Sequence, residues 1–163
     1  MIDLIIFDLM GTLVRREGAT ERARKGTERF FKSYGERKIA VATDTDISSA
    51  EHYLIQLGIY DEVNAVFTQE DMVRVPRAGR RKNLRRICRE LGVPLERAVF
   101  ISDGDTDRKE ARRVDMRFIH VPSYVNPREP FSFDRIDLSK RLAKYTDLRG
   151  VNPPFHTSPS ETF

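Results

Sequence analysis

Residues 1–14 run Met1-Ile2-Asp3-Leu4-Ile5-Ile6-Phe7-Asp8-Leu9-Met10-Gly11-Thr12-Leu13-Val14. Residues 2–8 form an apolar run broken by one early acid, the pattern of a strand buried on both faces. Residues 10–14 read as the turn that follows it. The run ends on Asp8, which puts a carboxylate at the C-terminal end of the first strand. In an open parallel sheet, ligands bind just outside those strand ends. Asp8 is therefore the first candidate functional residue, and what the other strands end in becomes the question.

Outward from this stretch, buried strands are predicted at 39–43, 64–68, 98–102 and 117–121. Helices are predicted between them. Residues 20–34 turn Phe30, Phe31 and Tyr34 inward and stop near Gly35. Residues 47–57 are capped by Asp46 or Ser48 and closed by Gly58. Residues 80–91 carry the stripe Leu84, Ile87, Cys88, Leu91 at i, i+3, i+4, i+7 and close on Gly92. A shorter helix covers 106–114. Residues 15–20 read as a polar loop with Gly18 at its tip, and 72–79 as an irregular segment holding Pro76. Five apolar strands alternating with helices predict an α/β fold, a Rossmann-like three-layer α/β/α arrangement with a mostly parallel five-stranded sheet. The expected organisation is a core over 1–122, a C-terminal extension over 123–149 with a helix near 136–145, and a flexible tail over 150–163 rich in proline.

The 163 residues suit one domain, with 39% apolar and 33% charged residues. No apolar run approaches the roughly 20 residues that span a bilayer, so no membrane role is expected. The first residues lack a basic leader and a cleavage site, which predicts a cytoplasmic protein. One cysteine, Cys88, excludes an intrachain disulfide and reads as buried filler. The net charge of +4 comes mostly from arginine, with clusters at Arg80, Arg81, Lys82, Arg85 and Arg86 and at Arg108, Lys109, Arg112 and Arg113. A nucleic-acid partner is permitted by this charge. A solvated arginine face is favoured over it, because acids interleave and no aromatic–basic pattern accompanies the clusters.

Strand two ends in Thr43 and Asp44. Strand four runs into Ser102-Asp103-Gly104-Asp105-Thr106-Asp107. Taken singly, these residues read as turn formers and helix caps. Taken together at one sheet edge, they form a crowd of carboxylates that repel one another unless a cation intervenes. Oxygen ligands of this type suit Mg²⁺.

The pattern resembles the haloacid dehalogenase superfamily. Its first motif, an apolar strand and then Asp-x-Asp-Gly-Thr-Leu-Val, stands here as Ile5 to Val14. Its second, a strand ending in Thr or Ser, matches residues 39–43. Its fourth matches Phe100-Ile101-Ser102-Asp103 together with Asp107. The resemblance covers residues 2–122 and implies that Asp8 attacks a phosphorus to form an aspartyl-phosphate. It also implies that Mg²⁺ is held by Asp8, by the carbonyl of Met10 and by Asp103, with Asp107 direct or through water, and that Thr43 binds a phosphoryl oxygen. The third motif's lysine falls among Arg77, Arg80 and Lys82, with Arg80 opening the helix and Lys82 the lysine of the stretch. No long insertion precedes or follows, so a capless member is expected.

One departure bears on chemistry. The family's phosphatases carry an acid/base Asp two residues after the nucleophile, and this chain has Met10. A thioether shuttles no proton. The expected function is therefore slow, Mg²⁺-dependent hydrolysis of a phosphorylated small molecule or macromolecule. The alternatives are a non-catalytic binding or regulatory module and a dehalogenase-like C–X hydrolase.

Overall fold

A computed structural model describes residues 1–15, 23–126 and 128–150. Its centre is a six-stranded sheet. The strands are β1 (Leu4–Phe7), β2 (Lys38–Ala42), β3 (Ala65–Phe67), β6 (Ala98–Ser102), β7 (Arg117–His120) and β8 (Tyr145–Asp147), in the spatial order β3-β2-β1-β6-β7-β8. Every neighbouring pair is parallel. β4 (Val73–Val75) and β5 (Gly79–Arg81) form a separate antiparallel hairpin. The helices are α1 (Thr27–Ser33), α2 (Ile47–Gln56), α3 (Leu84–Leu91) and α4 (Asp105–Arg113).

The strand alternation explains the three layers. Successive side chains of a strand point to opposite faces. Ile5 and Phe7 of β1 join Ile39, Val41, Val99 and Ile101 in a core with Phe30, Phe31, Ala50 and Leu54 from α1 and α2. Leu4 and Ile6 face the other way, with Ala40, Ala42, Phe100 and Phe118, and meet Leu84, Ile87 and Cys88 of α3 and Ala111 of α4. Burial raises the Cys88 thiol to about 11, which fits the filler reading. The α2 helix starts where Asp46 accepts the Ser49 N–H at 2.8 Å, and α3 where Asn83 accepts that of Arg86 at 3.2 Å.

The structure corrects the sequence reading in four places. The sheet has six strands rather than five. No helix forms over 136–145; the extension makes a 3₁₀ turn at Phe133–Arg135 and then β8. Its backbone is drawn to β7 instead: Phe118 N–H donates to the Lys144 carbonyl at 2.9 Å, and the Arg117 guanidinium to that of Leu142 at 3.0 Å. The third predicted helix begins at Leu84, not at Arg80, because residues 79–81 pair with 73–75 and turn an expected irregular segment into the hairpin. The first helix begins at Thr27; the start expected for it at residue 20, the loop with Gly18 at its tip and the tail from 151 lie outside the described residues.

The extension is built into the core. Phe131, Phe133, Ile136 and Leu138 pack with Phe7 and Phe30. A side chain at Gly26, the residue before α1, would meet Ser132 Oγ at 2.5 Å and the Phe133 backbone at 2.8 Å, so this close approach requires glycine. Arg24 is 2% exposed and is stacked among Tyr124, Phe131 and Phe133, its guanidinium 4.7 Å from the centre of the Phe131 ring. It donates to the carbonyls of Pro122 at 2.5 Å and Thr12 at 3.3 Å and pairs with Glu129 at 3.3 Å. A cation this deep is tolerated because rings, carbonyls and a carboxylate surround it. Arg24 thus ties the extension to the turn that follows Asp8.

Candidate active site

The spatial strand order reverses between β1 and β6. That is the switch point where the loops from adjacent strand ends diverge and leave a crevice. Asp8 follows β1 and Asp103 follows β6 on either side of it. The two strands are in register from Leu4 with Ala98 to Phe7 with Ile101, which brings their ends level. The crevice opens into a cavity of about 370 Å³ lined by Asp8, Met10, Asp44, Arg80, Lys82, Asp103 and Asp107, among others.

Asp8 is 7% exposed. Its Oδ1 accepts from Lys82 Nζ at 2.7 Å, and its Oδ2 lies 3.1 Å from Thr12 Oγ1. Lys82 also donates to Asp107 Oδ2 at 2.8 Å. Thr12 Oγ1 is 3.1 Å from Asp103 Oδ1 as well, and it accepts the Asp103 N–H at 3.1 Å. A hydroxyl carries one proton, so Thr12 can donate to only one of the two carboxylates at a time.

Two carboxylates, Asp8 and Asp107, therefore flank one ammonium, and Thr12 links Asp8 to a third, Asp103. Burial, reinforced by the Asp107 charge, pushes the Asp8 carboxyl up to about 7, against the downward pull of Lys82. Burial works to lower the Lys82 pKa, but Asp8 and Asp107 outweigh it and the pKa rises, so the ammonium stays charged. The cluster carries an excess of negative charge that a further cation would relieve. Among the described residues no three His, Cys, Asp or Glu side chains form a metal cage. The donors available are the carboxylates of Asp8 and Asp103, and Met10 lines the same cavity. An all-oxygen set of that size fits Mg²⁺, which is commonly held by one or two carboxylates and keeps several waters.

Of the residues predicted from sequence, the structure brings Asp8, Lys82, Asp103 and Asp107 together. Among the three candidates for the third motif, Lys82 is the one that touches Asp8. It reaches inward because Arg81 is anchored to the buried Glu110 at 2.9 Å and α3 starts directly after Asn83. Arg80 is exposed and lines the cavity without pairing to Asp8. Thr43 is buried, and its hydroxyl is engaged with the Thr45 side chain at 3.1 Å and accepts the Thr45 N–H at 3.2 Å. It shares with Lys82 a small side cavity of about 10 Å³, room for one water.

Four residues of the site were not singled out by the sequence reading. Thr12 links the two carboxylates. Ser102, fully buried, donates to Asp107 Oδ2 at 2.7 Å. Ser123, from the extension, donates to Asp103 Oδ2 at 2.6 Å. His120 Nε2 lies 3.1 Å from the Asp103 carbonyl, which can only accept, so Nε2 carries the proton and Nδ1 accepts from the Tyr145 hydroxyl at 3.1 Å. Thr12 sits inside the quoted stretch and Ser102 in the strand-four run. Ser123 and His120 have no local signal, since their roles depend on how β7 lies beside β6.

A parallel sheet with an aspartate after its first strand, a lysine reaching that aspartate and an acid pair after the neighbouring strand defines a class of hydrolase. The chain belongs to the haloacid dehalogenase-like hydrolases, whose family model matches residues 16–115. Solved structures with the same fold include an uncharacterized protein from Listeria monocytogenes serotype 4b, at 16% identity over 90% of this chain and 91% of that one, with a TM-score of 0.62. A predicted phosphoglycolate phosphatase from Haemophilus somnus 129pt is 13% identical over 79% and 89%, with a TM-score of 0.62. A variant of CbbY from Rhodobacter sphaeroides, in complex with xylulose-(1,5)bisphosphate, is 18% identical over 80% and 91%, with a TM-score of 0.61. The search of curated proteins found no match. Among the described residues nothing larger than the β4–β5 hairpin is inserted into the fold, and they form no substantial cap domain. No helix among them is long and apolar enough to cross a membrane.

Proposed function

We propose that the protein hydrolyses phosphomonoesters with Mg²⁺, through an aspartyl-phosphate on Asp8, and does so slowly. The observation that carries this reading is the Lys82 ammonium held 2.7 Å from Asp8 and 2.8 Å from Asp107, at the switch point of the sheet and facing a cavity. Lys82 would favour the ionised form of Asp8 against the effect of burial and offset the charge of an approaching phosphate. Asp8 Oδ2, the oxygen not bound to Lys82, would attack phosphorus, and the P–O bond to the leaving alcohol would break with its electron pair on that oxygen. Asp107, occupied by Lys82 and Ser102, would orient the lysine. Asp8, Asp103 and the Met10 carbonyl would hold Mg²⁺, which when bound supplies charge stabilisation to the phosphoryl oxygens. Thr43 is oriented by the Thr45 N–H at the end of β2 and would donate its hydroxyl proton to a phosphoryl oxygen.

The slow step follows from Met10. Leaving-group protonation and activation of the water that cleaves the aspartyl-phosphate both need an acid/base group, and such help is typically worth about 10²–10⁴-fold. The same residue supports a second reading, a binding module that retains the site without turnover. The two are separated by an aryl-phosphate assay. Release of p-nitrophenol that requires Mg²⁺ supports the hydrolase; no release at any Mg²⁺ concentration sinks it.

Ser123 gives a finer expectation. It fixes one oxygen of Asp103 without facing the substrate. Loss of such an outer partner commonly weakens metal binding about 10–100-fold. Ser123→Ala is expected to raise the Mg²⁺ concentration for half-maximal activity by about tenfold with a smaller change in kcat at saturating metal. An unchanged Mg²⁺ dependence would show that Ser123 has no part in placing Asp103.

A further inference from the structure

The hairpin β4–β5 forms part of the rim of the active-site cavity and carries more positive charge than its fold needs. Val73 and Val75 are half-buried, whereas Arg74 and Arg80 are exposed and stand opposite each other in the antiparallel register. Like charges directly opposed across two strands destabilise the pair. Neighbouring arginines have carboxylate partners: Arg81 on Glu110 and Arg86 on Asp71 and Glu90. Arg74, Arg77 and Arg80 have none among the described residues. At the tip, Arg77 has φ 66°, and the Ala78 N–H closes a turn on the Val75 carbonyl at 3.1 Å. Pro76 followed by a positive φ is a turn in which the second central position favours Gly or Asn. An arginine there is held in a strained backbone conformation. Three unpaired guanidinium groups, two opposed and one strained, thus gather on one hairpin.

Their position gives them a use. Arg80 lines the cavity that holds Asp8 and Lys82, and it also lines an adjoining cleft of about 280 Å³ with Arg74, Pro76 and Arg77. The geometry points to an anion subsite formed by Arg74 and Arg80, with Arg77 at its edge, that takes a second anionic group of the substrate. The inference rests on the reading of the main cavity as the phosphoryl site. It names the substrate class as small phosphate esters that carry a second phosphate or a carboxylate, in preference to phosphate esters of neutral alcohols. Guanidinium forks match both anions bidentately, and the bound anion would relieve the repulsion between the two strands.

Calorimetric titration of the full chain with 2-phosphoglycolate, fructose 1,6-bisphosphate and methyl phosphate tests this without need of turnover. Charge-assisted hydrogen bonds to the subsite are expected to make at least one of the two esters that carry a second anionic group bind about tenfold more tightly than methyl phosphate. Which of the two is preferred tells a carboxylate from a phosphate. The double variant Arg74→Gln, Arg80→Gln should bring that ratio to within about twofold, and Arg74→Gln alone should lower it part of the way. Equal affinities in the native chain, or a preference that survives the double substitution, overturns the proposal. So does tighter binding of a 5′-phosphorylated oligonucleotide than of either small ester. The preference without hydrolysis of any ester counts against the phosphatase reading alone; hydrolysis without the preference counts against the subsite alone.

Discussion

Asp8→Asn is expected to reduce Mg²⁺-dependent hydrolysis of p-nitrophenyl phosphate by about 10⁴-fold or more, the scale on which loss of a covalent nucleophile is felt. The amide keeps the shape of the carboxylate but has no anionic oxygen to attack phosphorus. The fold should survive, because Lys82 keeps Asp107 as its partner at 2.8 Å and Thr12 keeps Asp103. Stability should in fact rise. In the metal-free chain burial lifts the Asp8 carboxyl from its usual 3.8 to about 7, so its ionised form opposes folding. That penalty is absent below the ordinary carboxylate range and grows as pH rises through about 4 to 7. Removing the charge at pH 7.5 is expected to add about 0.5–2 kcal/mol, the usual range for a single stabilising substitution. Urea denaturation checks it, with native and variant chains converging at pH 4. If Asp8 and Asp103 hold Mg²⁺ as proposed, the stabilising effect of the metal should shrink in the variant. An active Asp8→Asn chain would remove Asp8 from the chemistry; one that is inactive but less stable would mean that the carboxylate is structural.

Much of this site was legible because the residues that make it are local to strand ends. β1 and β6 are apolar on both faces, and such strands belong to a covered parallel sheet, whose ligand edge is known in advance. That places Asp8, Asp103 and Asp107 without any knowledge of their contacts. Lys82 was one of three candidates because helical periodicity cannot say where a helix begins. The stripe at Leu84, Ile87 and Cys88 holds whether α3 starts at Arg80 or at Leu84. What decides it is the pairing of Val73 with Arg81 and the anchoring of Arg81 on Glu110, both tertiary facts. The extension failed for the same reason. Residues 136–145 have enough apolar spacing for a helix, but β7 was an open edge, and an unpaired strand edge competes for any backbone that can reach it. Ser123 and Arg24 gain their roles only once that competition is settled.

Met10→Asp is the change with the largest expected gain. Met10 is half-buried, lines the cavity with Asp8 and is bridged through its backbone to Val14. That bridge should hold the main chain in place whatever the side chain. A carboxylate at this position would sit beside the leaving oxygen and the attacking water, the two places where the Met10 thioether offers no proton carrier. If the first displacement already works, the native chain should show a burst of about one p-nitrophenol per chain and then a slow steady rate. The variant should lose the burst and run steadily about 10²–10⁴-fold faster, the range of acid/base assistance. The added charge joins a cluster already rich in carboxylates, so a steeper dependence on Mg²⁺ should accompany the gain. Asp44 sets the lower bound. Among the described residues it is the one acid lining the cavity with no bond to Lys82 or Thr12, and it is exposed, so water can relay through it. If Asp44 already carries protons, Met10→Asp will raise the rate only a few-fold, and Asp44→Asn in the native chain will lower it. A rate unchanged by either substitution would mean that proton transfer does not limit this site, and the slow-phosphatase reading would lose its physical cause.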